Sequence, residues 1–286
     1  GSDVVSASFD GEGTVRCVSP PRAHSGAAPV RLVIGDAVLV TTISFVYHDE
    51  MSVSSVEPVV GVLSGGTRLR IRGSGFDPSV QMVVRIGMHS VVRADVLSAT
   101  LMECTSPSAE LPGPLAIEAS RNSQDFTGDE VLFEYQSAMR VDEVAPARGP
   151  VSGGALVVIA GAGFSRRSAA LSYTHVRFNT TRVPAVWHSS SELRAVAPEH
   201  AAGLVLVSVT QNDQQYSGSL HFEYEDVAPH SLAPGTGPVR GGTMVLVRGS
   251  NVHGSPGGGE YGAFCEFAGS DVVSASFDGE GTVRCV

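Results

Sequence analysis

Chemistry in a protein starts from nucleophiles, proton donors, metal ligands and phosphate cradles, and this 286-residue chain holds such residues without the spacing they need. Its nine histidines, His24, His48, His89, His175, His188, His200, His221, His230 and His253, include no His-Glu-x-x-His pair. Its four cysteines, Cys17, Cys104, Cys265 and Cys285, include no Cys-x-x-Cys pair. Zinc sites are built on such short spacings, so no metal site is expected. A formal Gly-x-Gly-x-x-Gly at Gly257, Gly259 and Gly262 has no βα unit before it and no helix after it, and reads as a loop. No Gly-x-Ser-x-Gly elbow occurs, and no Ser/His/Asp set can be assembled by spacing. All 19 basic residues are arginine, which removes Schiff-base and ammonium catalysis and Lys-Asn isopeptide cross-links. No catalytic residue and no cofactor is expected, and the chain is not read as an enzyme.

Charge narrows the partners. A net charge of −10 without a basic stripe opposes binding to phosphate backbones, so no nucleic acid partner is expected. Acids gather at Asp49-Glu50, at Asp142-Glu143 and at Glu223, Glu225 and Asp226. Their oxygens could hold calcium, but solvated linker charge is the preferred reading. Asn179-Thr180-Thr181 is a sequon, an acceptor for a glycan if the chain is secreted. No run reaches the roughly 18 apolar residues of a membrane span.

Turns and short strands must carry these residues. Apolar positions come in short alternating runs between 33 Gly and 16 Pro, the pattern of an all-β protein. Repeats dominate the organisation. The first eighteen residues, GSDVVSASFDGEGTVRCV, return unchanged at 269–286, a period of 268 residues. This is expected of one period of a longer repetitive polypeptide with a short overlap into the next. A shorter period lies inside it: Pro58, Pro146 and Pro234 stand 88 residues apart, as do the pairs Gly65-Gly66, Gly153-Gly154 and Gly241-Gly242. Each Gly-Gly leads into a run that alternates or is apolar throughout (TRLRIRG, ALVVIAG, TMVLVRG), and units close on Phe-x-Tyr at Tyr47, Tyr135 and Tyr224. Six or seven short strands in about 88 residues describe an immunoglobulin-like β-sandwich.

The openings VSSVEPVVGVLSGGTRLRIRGSGF (53–76) and VDEVAPARGPVSGGALVVIAGAGF (141–164), the middle Cys-Glu-Phe and Arg-Cys-Val segments and the closing Phe-x-Tyr resemble the IPT/TIG domain. That immunoglobulin-like module is shared by plexins, related receptors and some transcription factors. The resemblance implies tandem sandwiches strung head to tail: the C-terminal part of a module at 1–49, complete modules at 50–137 and 138–226, and the N-terminal part of a module at 227–286. It also implies a disulfide between Cys265 and Cys285, which stand at two positions this family often bridges. Cys17, the repeat-equivalent of Cys285, would then pair with a counterpart of Cys265 in a preceding copy, and Cys104, facing Val84, would be a buried thiol. The setting implied is extracellular or cell-surface. The leading function is a structural fibre, stalk or surface filament, partnered by copies of itself, through covalent continuation or neighbouring chains, and carrying glycans. The alternative is a receptor or adhesin ectodomain that uses the modules as spacer and ligand-binding units. A DNA-binding factor fits the charge badly, and an accessory module of a carbohydrate-active enzyme would need a catalytic domain elsewhere.

Overall fold

The computed structural model describes residues 4–11, 13–251, 263–267, 271–277 and 282–285. It is built of strands, as expected. The formal glycine motif at 257–262 lies outside the described residues. β1 (Ala7–Phe9) and β2 (Val15–Cys17) form one hairpin, and β3 (Gly26–Ile34) and β4 (Ala37–Tyr47) another. Residues 50–137 hold β5 (Ser52–Glu57), β6 (Val60–Val62), β7 (Arg68–Ser74), β8 (Met82–Ile86), β9 (Ser90–Ser98), β10 (Leu101–Thr105), β11 (Gly113–Ser120) and β12 (Leu132–Gln136). Residues 138–226 hold β13 (Arg140–Ala145), β14 (Arg148–Pro150), β15 (Leu156–Ala162), α1 (Arg166–Ala170), β16 (His175–Phe178), β17 (Thr181–Pro184), β18 (Val186–Ser189), β19 (Glu192–Val196), β20 (Gly203–Thr210) and β21 (Tyr216–Glu225). The remainder comprises β22 (Ala228–Ala233), β23 (Val245–Ser250), β24 (Ala263–Phe267), β25 (Asp271–Phe277) and β26 (Thr282–Cys285).

Period-two alternation builds each core. In β7, Leu69 and Ile71 point inward while Arg68, Arg70 and Arg72 point out. One sheet of module 50–137 runs β5-β7-β10-β9 and the other β8-β11-β12-β6; β9 belongs to both, pairing with β8 through Ala94 and with β10 beyond it. In module 138–226 the same path breaks after Pro184 into β17 and β18, leaving separate sheets, β13-β15-β19-β18 and β14-β21-β20-β16-β17. Proline cannot donate to a ladder, which suits a strand end. The parallel strands β6 and β14, which follow the prolines of the opening motif and lie beside β12 and β21, raise the strand count above six or seven.

Each closing Phe-x-Tyr seals a core. Phe133 and Tyr135 meet edge to face at 4.9 Å, as do Phe222 and Tyr224. The second glycine-rich device is backbone geometry: Gly65 and Gly153 have φ of 75° and 71°, and a Cβ at either would lie 2.5 or 2.6 Å from the chain at Pro107 or Pro198. Only glycine fits there.

Where both copies of the duplicated segment are described, they pair alike. Ala7 faces Cys17 and Phe9 faces Val15; 268 residues later Ala275 faces Cys285 and Phe277 faces Val283. The β3–β4 hairpin opens with Gly26 opposite Tyr47, as β11 and β12 open with Gly113 opposite Tyr135, and β20 and β21 with Gly203 opposite Tyr224.

Candidate functional site

The joint between the two complete modules concentrates the polar chemistry. It is built on the turn between β20 and β21, Gln211-Asn212-Asp213-Gln214-Gln215. Asn212 holds the turn together: its Oδ1 accepts from the backbone N–H of Gln214 at 3.1 Å and of Gln215 at 3.0 Å. Asp213 takes a positive φ of 64°, a conformation that short polar side chains tolerate. The two glutamines are thereby aimed at the Gly-Gly turn of the preceding module. Gln214 Oε1 accepts from the Arg68 N–H and its Nε2 donates to the Arg68 carbonyl, both at 2.8 Å, so one side-chain amide mimics a neighbouring strand. Gln215 Nε2 donates to the Gly66 carbonyl at 2.8 Å, and its Oε1 accepts from the buried Thr67 hydroxyl at 3.2 Å and from the Asn212 amide.

A second set of contacts forms around α1. Ser165 caps that helix, its hydroxyl accepting from Ser168 N at 3.2 Å and from the Gln136 amide at 2.9 Å. The Ser168 hydroxyl donates to Gln136 Oε1 at 3.0 Å, and Arg167 lies 3.1 Å from Glu134. Gln211 grips the residues before the helix, donating to the Gly163 carbonyl at 3.2 Å and accepting from Ser165 N. Burial, followed by the Glu57 carboxylate, raises the pKa of Tyr173 beside the joint. The strand that presents Arg68 is anchored beneath: buried Glu103 takes the Arg68 and Arg70 guanidiniums, Arg70 Nε at 2.8 Å. These hydrogen bonds, Arg70's first, hold the Glu103 carboxyl below the usual carboxylate range.

The other candidate residues are not gathered at the joint. Cys265 on β24 and Cys285 on β26 form a disulfide with Cα atoms 6.0 Å apart. The corresponding positions are Val84 and Cys104 in the first complete module and Val176 and Ala195 in the second, and these are buried in the cores. Burial pushes the free Cys104 thiol up to about 12, whereas the free Cys17 is exposed. Asn179 is exposed at the tip of the β16–β17 hairpin, with φ of 53°. Asp142 pairs with Arg140, and Glu223 and Glu225 with Arg148. Among the described residues no cluster of three His, Cys, Asp or Glu could hold a metal ion, and no helix is long and apolar enough to cross a membrane. Sequence reasoning missed the joint; its available signal was the amide-rich run QNDQQ between two strands.

Three comparisons relate this chain to known proteins. The family model described as the IPT/TIG domain matches residues 51–135 and 139–224. Human fibrocystin-L is 28% identical over 174 residues, 60% of this chain and 4% of that protein. Human plexin-B1 is 34% identical over 116 residues, 38% of this chain and 5% of that protein. The chain therefore spans about a twentieth of the length of these relatives. The solved extracellular region of plexin A4 aligns with 98% of this chain and 25% of its own, at 15% identity and a TM-score of 0.46. A disulfide persists in an oxidising compartment, and the setting of this chain is extracellular or cell-surface. With both complete modules matched in register, the chain belongs to the IPT/TIG domain family.

Proposed function

We propose that the chain is part of a receptor- or adhesin-type ectodomain in which IPT/TIG modules act as spacer and ligand-presenting units, with no catalytic role. The observation that carries this reading is the amide clamp at the joint, because a spacer must hold successive modules at a set angle and distance. Two side-chain amides bonded to main-chain groups of Gly66 and Arg68 fix that geometry by directional hydrogen bonds. The similarity to plexin-B1 and fibrocystin-L supports the same reading. The test is protease treatment of intact cells of the source. Tryptic peptides of this chain should be released before lysis; recovery only after lysis would end the proposal.

A second reading, a uniform fibre built of 268-residue periods, is favoured by the duplicated eighteen residues and their common pairing register. It requires native particles that are long multiples of one period. In either reading the exposed Asn179 carries a glycan in natively sourced material, checked by peptide mass spectrometry before and after deglycosylation.

A further inference from the structure

Each complete module stacks an arginine on an aromatic ring at the same place on its outer sheet face. In module 50–137 it is Arg85 on β8, 4.0 Å from the centre of the Phe126 ring, and in module 138–226 it is Arg177 on β16, 3.8 Å from that of Tyr216. Such stacking holds a guanidinium flat and leaves its edge to donate. The edges are used differently. Arg85 gives Nε and Nη2 to the Glu118 carboxylate opposite it on β11, at 2.8 and 2.6 Å. Opposite Arg177 stands Ser208, whose hydroxyl accepts from Nε at 3.3 Å, and among the described residues Arg177 is in no ion pair. Serine in place of glutamate leaves the fork open where its counterpart is filled.

The neighbouring positions change with it. Arg182 on β17 lies directly opposite Arg177, where module 50–137 sets Val91 opposite Arg85. Like charges facing each other across a ladder destabilise it, so this pair is not explained by folding. One acid is close: Asp213 Oδ1 lies 2.6 Å from Arg182 Nη1 and 3.1 Å from His175 Nδ1. Two guanidiniums therefore share one carboxylate.

The same face is apolar beyond the arginines. Counted from Gly203 and Gly113, each opposite a closing tyrosine, β20 carries Leu204 and Leu206 where β11 carries Pro114 and Ala116. Val205, Val207 and Val209 point into the core, so alternation puts Leu204, Leu206 and Ser208 in one outward row. Leu204 is 63% and Leu206 52% exposed, and the row ends at the two arginines. Glu223, opposite Leu204 at the far end, lies 3.9 Å from Arg148.

We propose that this face of module 138–226 binds an acidic, leucine-like segment of a protein partner, whose carboxylate enters the Arg177 fork beside Arg182 while its apolar side chains cover Leu204 and Leu206. Glu118 shows what such a fork takes, and a partner supplies in one module what the chain supplies in the other. The exposed leucines call for apolar side chains, which a sulfated sugar lacks.

The probe is the acetylated and amidated peptide Leu-Ser-Leu-Ser-Glu, which when extended sets two leucines and a glutamate on one side. It is titrated into the nitrogen-15-labelled 286-residue chain, and the Arg177 Nε–H resonance is followed. Saturable binding on the order of millimolar is expected. Arg177→Gln and Arg182→Gln should each weaken it on the order of tenfold, as should glutamine in place of the peptide's glutamate. Ser208→Glu should abolish it, because the new carboxylate fills the fork as Glu118 does. Should that variant melt early, Arg177→Lys carries the test: the charge stays, the fork is lost, and binding should still fall about tenfold. No binding by the parent chain, binding indifferent to the Arg177 and Ser208 variants, or tighter binding of a heparin-derived hexasaccharide than of the peptide would each overturn the proposal. Binding is measured on the purified chain, so the site can fail while the cell-surface test of the ectodomain reading succeeds.

Discussion

Single side chains distinguish modules that the repeat makes look alike. Tyr135 and Tyr224 are equivalent, but the Tyr135 hydroxyl donates to the Pro107 carbonyl at 2.7 Å, as Tyr47 does to Pro20 at 2.9 Å. The Tyr224 hydroxyl is buried without a partner among the described residues, its ring stacked on His200 at 5.0 Å. Burial raises its pKa to about 12. Tyr135→Phe is therefore expected to cost about 1 kcal/mol in denaturant unfolding, while Tyr224→Phe should be neutral or stabilising, because it deletes an unsatisfied group. Equal losses for the two variants would contradict this account. The free thiols differ for the same reason. The folded 286-residue chain should react with a maleimide at exposed Cys17 and not at Cys104, whose thiolate is disfavoured by burial; both should label after denaturation.

Elements show which contacts a linear reading can reach. The Gly-Gly turns, the alternating strands and the Phe-x-Tyr closures were legible because each is a local pattern with one physical cause: a left-handed glycine, a pleat, a core plug. The joint was not, because Gln214 and Gln215 look like ordinary surface residues until the fold brings them to Gly66 and Arg68. Helix α1 was hidden similarly, in four residues by which the second module exceeds the first between Gly163 and Val176. The clamp gives a direct prediction. Gln214→Ala removes two hydrogen bonds and is expected to cost about 1–2 kcal/mol of module coupling, read as a broader distance distribution between labels on the two modules. Glu103 adds a pH dependence. Its folded pKa lies below 4.5, so its contribution is complete above that pH and is lost as pH falls through the lower, folded value. Glu103→Gln should remove this part of the acid limb of the stability curve; an unchanged limb would show that another carboxylate controls it.

Across the whole molecule the Gly-Gly turns are held unequally, and this sets where the chain yields to a protease. Gly66 lies against the Gln215 amide, whereas a Cβ at its equivalent, Gly154, would meet nothing within 4 Å. Among the described residues no side-chain amide bonds to Gly154, and the backbone of the next Gly-Gly turn, Gly235–Gly242, is exposed. Arginine is the only residue type here that trypsin cuts after, so trypsin reports on the joint through Arg140 and, away from it, on the Gly-Gly turn of 227–286 through Arg240. Arg140 begins β13, paired with Ala162 and bonded to Asp142, while Arg240 lies in an exposed turn that follows no strand directly. Local opening governs cleavage when reclosing is fast, so Arg240 should be cut well before Arg140. Replacing Gln214 and Gln215 together with alanine should then accelerate cleavage at Arg140 and leave Arg240 as it was. Equal acceleration at both sites would mean that the glutamines stabilise module 138–226 as a whole, and the clamp would not be what holds the two modules in line.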